Sequence, residues 1–280
     1  MSFLVLLLVL LVEKFSGWRA KVQRDGWWLG WLDTVGGVKS LVAQPWLGLL
    51  VAVLPPLLLL ALLLTLLEPV AYGLLALPVQ LLVVVWSLGR GDVLRAIGPF
   101  RDAWRREDAQ AAYHVAERDL GVQVQADGDD DLLAVVQGTL VWEAYQAFFA
   151  VIFWYALLGP VAALAYRLLA IAAEQGRQPA LQERAAQLRH AFDWLPSRAL
   201  VLSFALVGNF VAVTRTLLHD LLAWDVPAAR LLARAGYVAE DFNEGGLGAR
   251  GVASLDALWQ LLVRSAVLWY AIFAIWTLLL

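Results

Sequence analysis

A chain of 280 residues that is 61% hydrophobic and only 16% charged lacks the polar surface needed to clothe a soluble domain of that size. A formal net charge of -3 with no basic stripe argues against a nucleic-acid partner, and the lack of cysteine rules out thiol catalysis, disulfides and zinc knuckles. The expected class is an all-α, polytopic helical membrane protein with re-entrant or broken helices, forming one domain over 1–280 with cytoplasmic helical loops near 13–44, 89–138, 174–194 and 214–258.

In chain order, the first apolar run, Ser2 to Val12, crosses a bilayer only if its helix continues through Glu13 and Phe15. It has no basic leader and no small-residue cleavage site, so it does not read as a removable signal peptide. Pro45 to Leu67 carries no formal charge and is long enough to span the hydrocarbon core. After Glu68-Pro69, a second uncharged run from Val70 to Leu88 predicts the other arm of a helical hairpin. Lys14, Arg19, Lys21, Arg24 and Lys39 precede the hairpin, and Arg90, Arg95, Arg101, Arg105, Arg106 and Arg118 follow it. Both flanks are therefore expected in the cytoplasm, with Glu68 facing the other side. Trp27, Trp28, Trp31, Trp46 and Trp86 fit an aromatic belt at the cytoplasmic interface, with packing tryptophans as the alternative.

Arg101 to Leu120 reads as one exposed amphipathic helix, with Phe100, Trp104, Ala111, Val115 and Ala116 on its apolar face. A turn from Gly121 to Asp131 follows. Its acidic run, Asp127 to Asp131, lacks the alternating ligands and closing glutamate of a calcium loop, and suits the first turn of the next helix instead. Two later apolar stretches are ambiguous. Phe148 to Ala173 is interrupted by Gly159-Pro160 and carries Arg167, while Leu195 to Val213 carries Arg198 and Asn209. Each can cross the bilayer, or dip in and return. Glu244 to Gly251 reads as a flexible glycine-rich loop, since no Lys-Ser or Lys-Thr pair follows to complete a phosphate cradle. Leu261 to Leu280 is a further span, with Arg264 close enough to its start to snorkel to the headgroups.

No metal or cofactor is expected, because His114, His190 and His219 are isolated and no nucleophile elbow or phosphate loop of the usual kind is present. The remaining candidates are ionisable residues within or beside the apolar stretches: Glu143, Arg167, Asp193, Arg198 and Arg264. Charges at membrane depth either line a cavity or pair with one another. Asp193 or Glu143 neutralising Arg167 or Arg198 is one such arrangement.

The stretch from Phe153 through Gly159-Pro160 to Tyr166-Arg167 resembles the core motif of the AmpE family, as do His190-Ala191-Phe192-Asp193-Trp194-Leu195-Pro196-Ser197-Arg198 and Gly208-Asn209-Phe210. The resemblance runs from the first helix to the last and is most specific between Gly138 and Phe210. It implies a bacterial inner-membrane protein tied to β-lactamase induction, and a superfamily shared with the CobD/CbiB adenosylcobinamide-phosphate synthases. Where those enzymes carry Glu-Asn and Asp-Gly suited to magnesium and phosphate, this chain has Trp142, Glu143, Gln146 and Ala147. Their later Asn and Asp fall on Ala170 and Ala173, and their paired Asp on Arg189 and His190. Nothing around Trp224 to Arg230 matches their Ser-Pro-Asn motif. The comparison implies a retained scaffold without the metal-held phosphates that amide formation with ATP requires. A regulatory or sensory role follows, with membrane lipid, a small anionic or amphipathic ligand and a signalling protein as expected partners. Glu143, Tyr166, Arg167, Asp193 and Arg198 are the expected ligand-binding residues. The alternative is a divergent enzyme or transporter handling a phosphorylated or amphipathic small molecule. The resemblance further implies that Phe148 to Ala173 is a re-entrant hairpin entering and leaving on the cytoplasmic face.

Overall fold

The computed structural model describes residues 5, 7–9, 25–69, 74–89, 93–122, 129–240 and 246–279. Most of the run from Ser2 to Val12 lies outside them, as do Glu13, Lys14, Phe15, Arg19, Lys21, Arg24, Arg90, Asp127-Gly128 and Glu244-Gly245. Beyond the first described residues, the elements in chain order are α1 (Gly26–Gly36), α2 (Lys39–Val42), α3 (Pro45–Leu67), α4 (Ala76–Ser87), α5 (Val93–Arg105), α6 (Ala109–Leu120) and α7 (Asp129–Ala144). A π-helical turn (Tyr145–Phe149) leads into α8 (Ala150–Leu158), α9 (Pro160–Gln175), α10 (Pro179–Val207), α11 (Phe210–Leu222), α12 (Ala228–Ala239) and α13 (Ala249–Leu279). No strand occurs among the described residues, and the fold is all-α, as the long uncharged runs led one to expect.

Among the described residues, three helical stretches are long and apolar enough to cross a membrane: Pro45–Leu67, Leu132–Leu158 and Ala249–Thr277. The first coincides with the uncharged run read from sequence, and its Pro55-Pro56 pair lies inside a continuous helix. The second begins well before Phe148, because the helix entering from α7 continues through the π turn into α8. The third starts before Leu261, its first turns being the polar residues of α13.

The second arm of the predicted hairpin is shorter than its uncharged run. Glu68 and Pro69 form a turn, Leu74 and Leu75 another, and α4 is 12 residues long. At 1.5 Å per residue α4 rises about 18 Å, short of the ~30 Å hydrocarbon core. Arg101 to Leu120 also departs from expectation, being split into α5 and α6. Glu107 takes a positive φ of 59° and the Asp108 carboxylate accepts a hydrogen bond from the Ala111 amide at 3.0 Å, capping α6. The expected apolar face survives the break, since Phe100, Trp104 and Ala116 are buried, with Ala112 joining them. Gly121, at φ 64°, ends α6 in the left-handed region where glycine carries no Cβ penalty.

The chain folds as two compact units, one made of Met1–Arg90 and Ala147–Asp193, the other of Gly91–Gln146 and Trp194–Leu280. In the first unit α9 packs against α8, α4 and α3, and α1 against α3. Its core gathers Trp28, Leu49, Val53, Leu164, Leu168 and Ile171. The tryptophans divide between the two readings. Trp28 and Trp86 are buried packing residues, whereas Trp27, Trp31 and Trp46 are exposed as a belt requires. Trp27 rests against both buried rings, at 5.9 and 5.6 Å between centroids. Where neighbouring lipid is as apolar as leucine, such close packing contributes more to helix association than transfer from water does.

In the second unit α12 packs on α7 and α11, α5 on α6, and α13 on α5 and α7. Buried Phe100, Trp104, Leu132, Val136, Leu231 and Leu258 supply apolar surface along these helices. The Gln137 amide donates to Ser254 Oγ at 2.8 Å, tying α7 to α13. The apolar stretch Leu195 to Val213 is not one helix. α10 ends at Val207, and the Asn209 side chain accepts from the Ala212 amide at 3.0 Å to start α11.

Candidate functional site

The charged residues of the first unit are concentrated where α9 faces the first part of α10. Gly159 has φ 81° and ψ -169°, a conformation L-residues avoid, and Pro160 occupies the first turn of α9, where its missing N–H costs no helical bond. That break sets the start of a helix that buries Tyr166 and Arg167 side by side. The Tyr166 hydroxyl donates to Asp193 Oδ1 at 3.0 Å. Asp193 Oδ2 lies 3.4 Å from Arg189 Nε, one helical turn away on α10. Arg189 Nη1 donates to Glu174 Oε1 at 2.6 Å, so one guanidinium joins carboxylates from α9 and α10. Arg167 Nη2 lies 3.7 Å from Oδ2 of Asp25, a carboxylate buried just before α1.

Burial opposes the charge on Arg189, but the Tyr166 oxygen, Asp193 and Glu174 outweigh it and hold the Arg189 pKa above the usual arginine value. Arg189 is therefore a permanent cation inside the protein, and Asp193 is placed to act as its carboxylate counter-ion. The arrangement fastens α9 to α10. Tyr166, Arg167 and Asp193 are thus brought into one unit, together with Asp25, Glu174 and Arg189, which sequence reasoning did not select. Arg189 and Asp193 carried the available signal, a cation and an anion four residues apart on one helix. Asp25 offered none, since nothing local links it to a residue on α9.

The other two expected residues belong to the second unit. Glu143 is exposed near the end of α7 and accepts from Gln146 Nε2 at 3.0 Å. Arg198 is buried and closes the end of α11, with Nε donating to the Leu221 carbonyl at 3.2 Å and Nη2 to that of Ala223 at 2.7 Å. Its guanidinium also sits 4.9 Å from the centroid of the Trp194 ring. A cation there satisfies carbonyls left open at a helix C-terminus and complements the helix dipole.

The described part of the glycine-rich loop has a structural partner. Trp104 Nε1 donates to the Gly246 carbonyl at 3.3 Å, and the Gly248 amide donates to the Trp104 carbonyl at 3.1 Å. A side chain at Gly251 would run into the Trp104 indole, so the glycines let the backbone close over that ring. Among the described residues, no group of three or more His, Cys, Asp or Glu is placed to hold a metal ion.

No curated protein and no solved structure matches the chain. The family model described as "Regulatory signalling modulator protein AmpE" does match, over residues 1–224. That stretch contains the Gly159-Pro160 break, the Tyr166-Arg167 pair and the α10 segment bearing Arg189, Asp193 and Arg198; α12 and α13 lie beyond it, so the match stops short of the last helices that the sequence resemblance included. With most of its length matched and three helices fit to cross a membrane, the chain belongs to the AmpE family of regulatory membrane proteins.

Proposed function

We propose that the protein is a multi-pass component of the bacterial inner membrane that modulates β-lactamase induction or the response to cell-wall stress, acting by binding rather than by catalysis. The observation that carries this reading is the network of the first unit, in which buried Tyr166, Arg189 and Asp193 are bonded to one another and to the partly exposed Glu174. Such an arrangement suits a latch better than a reaction centre. An anionic or amphipathic ligand arriving there exchanges its own anion for a carboxylate partner of Arg167 or Arg189, and the loosened helix contacts carry the signal to a protein partner. Burial makes the exchange consequential, because a guanidinium cannot lose one anion inside the protein without gaining another.

The test couples physiology to binding. In a strain lacking the gene, wild-type protein should restore inducible β-lactamase and an Arg167→Ala variant that still reaches the membrane should not. Native mass spectrometry of gently extracted protein should show a small anionic molecule that the variant loses. Full complementation by Arg167→Ala, together with no bound molecule on the wild type, would sink the ligand-binding reading. Turnover of ATP by the purified protein would sink the non-catalytic one.

A further inference from the structure

We propose that α11 and the end of α10 form an interfacial seat for the bilayer surface, taking lipid acyl chains on an exposed apolar face and an anionic lipid headgroup on Arg215. Neither helix is among the segments fit to span a membrane. Yet α11 leaves Phe210, Val211, Leu218 and Leu222 exposed, with Val211 at 71% and Leu222 at 80%, while Val213 and Leu217 bury its other side. Val211, Leu218 and Leu222 recur at helical spacing along one face. Leu202 and Leu206 continue the exposed apolar surface onto the end of α10, and Trp224 stands just beyond α11.

What covers this face follows from how it is tied to α13. The exposed positions of α13 are Arg250, Asp256 and Gln260 with two alanines in its first half, and mostly large and apolar in its second, at Val263, Val267, Ile272 and Ile275. The change falls between Gln260 and Arg264, and a ~30 Å hydrocarbon core measured back along α13 from Leu279 begins about there, so we place the bilayer edge on that turn. Arg264 Nη1 donates to the Val207 carbonyl at 3.1 Å and its other terminal nitrogen pairs with Glu240. Trp269 Nε1, just past that edge, donates to Ser203 Oγ at 2.7 Å. The end of α10 is therefore held at the level where water gives way to lipid, and α11 starts there with Phe210 and Val211 exposed.

Charge on the same face completes the match. Arg215 lies among the exposed apolar positions of α11 and makes no ion pair or hydrogen bond among the described residues. An apolar strip with an unengaged cation on it suits the boundary between acyl chains and headgroup phosphates, where a helix lies in the plane of the interface. An arginine there also favours anionic over zwitterionic lipid.

The absence of native cysteine makes the test direct. Single cysteines at Val211→Cys, Leu218→Cys and, as a control on the polar half of α13, Ala253→Cys are labelled with a small fluorophore, and the full chain is placed in vesicles of phosphatidylcholine and phosphatidylglycerol. Nitroxide lipids should quench the first two labels about twofold or more above the control, and shallow nitroxides should act more strongly than deep ones. Adding Arg215→Ala should lower the preference for brominated phosphatidylglycerol over brominated phosphatidylcholine about fivefold. Quenching of all three labels equally by aqueous iodide would overturn the proposal. So would shielding from both lipid and iodide together with disulfide-linked dimers through Leu218→Cys, which would assign the face to a second copy. An unchanged lipid preference in Arg215→Ala would overturn the headgroup assignment.

Discussion

The two units use the same charged chemistry to opposite effect. In the first, beside the surface pair Arg177–Asp33 and the partly exposed Glu174, the pairs Arg167–Asp25 and Arg189–Asp193 hold four side chains no more than 9% exposed. In the second, Arg101–Asp256, Arg234–Asp220 and Arg264–Glu240 each keep at least one partner 47% exposed or more. A buried cation whose partner is removed is left without water to replace it, whereas an exposed one is rehydrated. The first unit is thus a place where one charge governs the integrity of a helix pair, and the second is a scaffold whose ion pairs can be exchanged freely.

The largest expected effect comes from breaking that contrast at its strongest point. Asp193→Ala leaves Arg189 with the partly exposed Glu174 as its remaining carboxylate and deprives the buried Tyr166 hydroxyl of its acceptor, and should cost about 3 kcal/mol of apparent stability in mild detergent. Thermal unfolding followed by circular dichroism measures it. In a cycle with Arg189→Met, the double variant should regain part of the loss, since the cation that had lost one of its two carboxylates is gone. Additive losses would mean that the two side chains do not act as a pair.

Backbone proximity gives the next largest effect, again in the first unit. The Gly89 amide donates to the Ala147 carbonyl at 2.8 Å, and a Cβ at Gly89 would run into both Cα and Cβ of Ala147. Gly89→Ala should therefore lose about 1–3 kcal/mol through overpacking. A melting temperature unchanged from wild type would show that this junction yields without strain.

How far the sequence spoke depended on whether a signal was local. The uncharged run of α3 and the Gly159-Pro160 break were legible because length, charge and a helix-breaking pair are local properties. The split between α5 and α6 was hidden because Glu107, which takes the left-handed conformation, is not a residue that announces it, and Asp108 reads equally as a cap or as part of a charged face. The break at Gly208-Asn209 lay within an apolar run that the sequence left open between crossing the bilayer and dipping in and returning. Arg167 and Asp193 were singled out as charges beside apolar stretches and Tyr166 from a motif resemblance, but their neighbours Asp25 and Glu174 are fixed only by tertiary packing. Distance along the chain concealed them, not weakness of the interaction.

The cap between α5 and α6 supplies a smaller effect in the second unit. Asp108→Ala removes the acceptor of the Ala111 amide and should cost about 1 kcal/mol, with Asp108→Asn close to wild type because an asparagine oxygen accepts the same bond. Equal losses in the two variants would show that the carboxylate charge at the helix N-terminus, and not the hydrogen bond, provides the stabilisation.

The smallest effect is expected where the comparison began, at the exposed pairs of the second unit. Arg101 reaches Asp256 from α5 to α13, joining elements 155 residues apart in sequence, and a long-range link of this kind invites the inference that it holds the unit together. The exposure of Asp256, 53%, argues otherwise. Water and salt compete for its carboxylate in either state of the pair, and ordering the arginine side chain offsets much of the Coulomb attraction. Asp256→Ala should therefore cost about 0.2–1 kcal/mol, and the difference should shrink further in high salt. A loss comparable to that of Asp193→Ala, insensitive to salt, would mean that the α5–α13 contact is far less hydrated than its exposure implies, and the contrast between the two units would fail at that point.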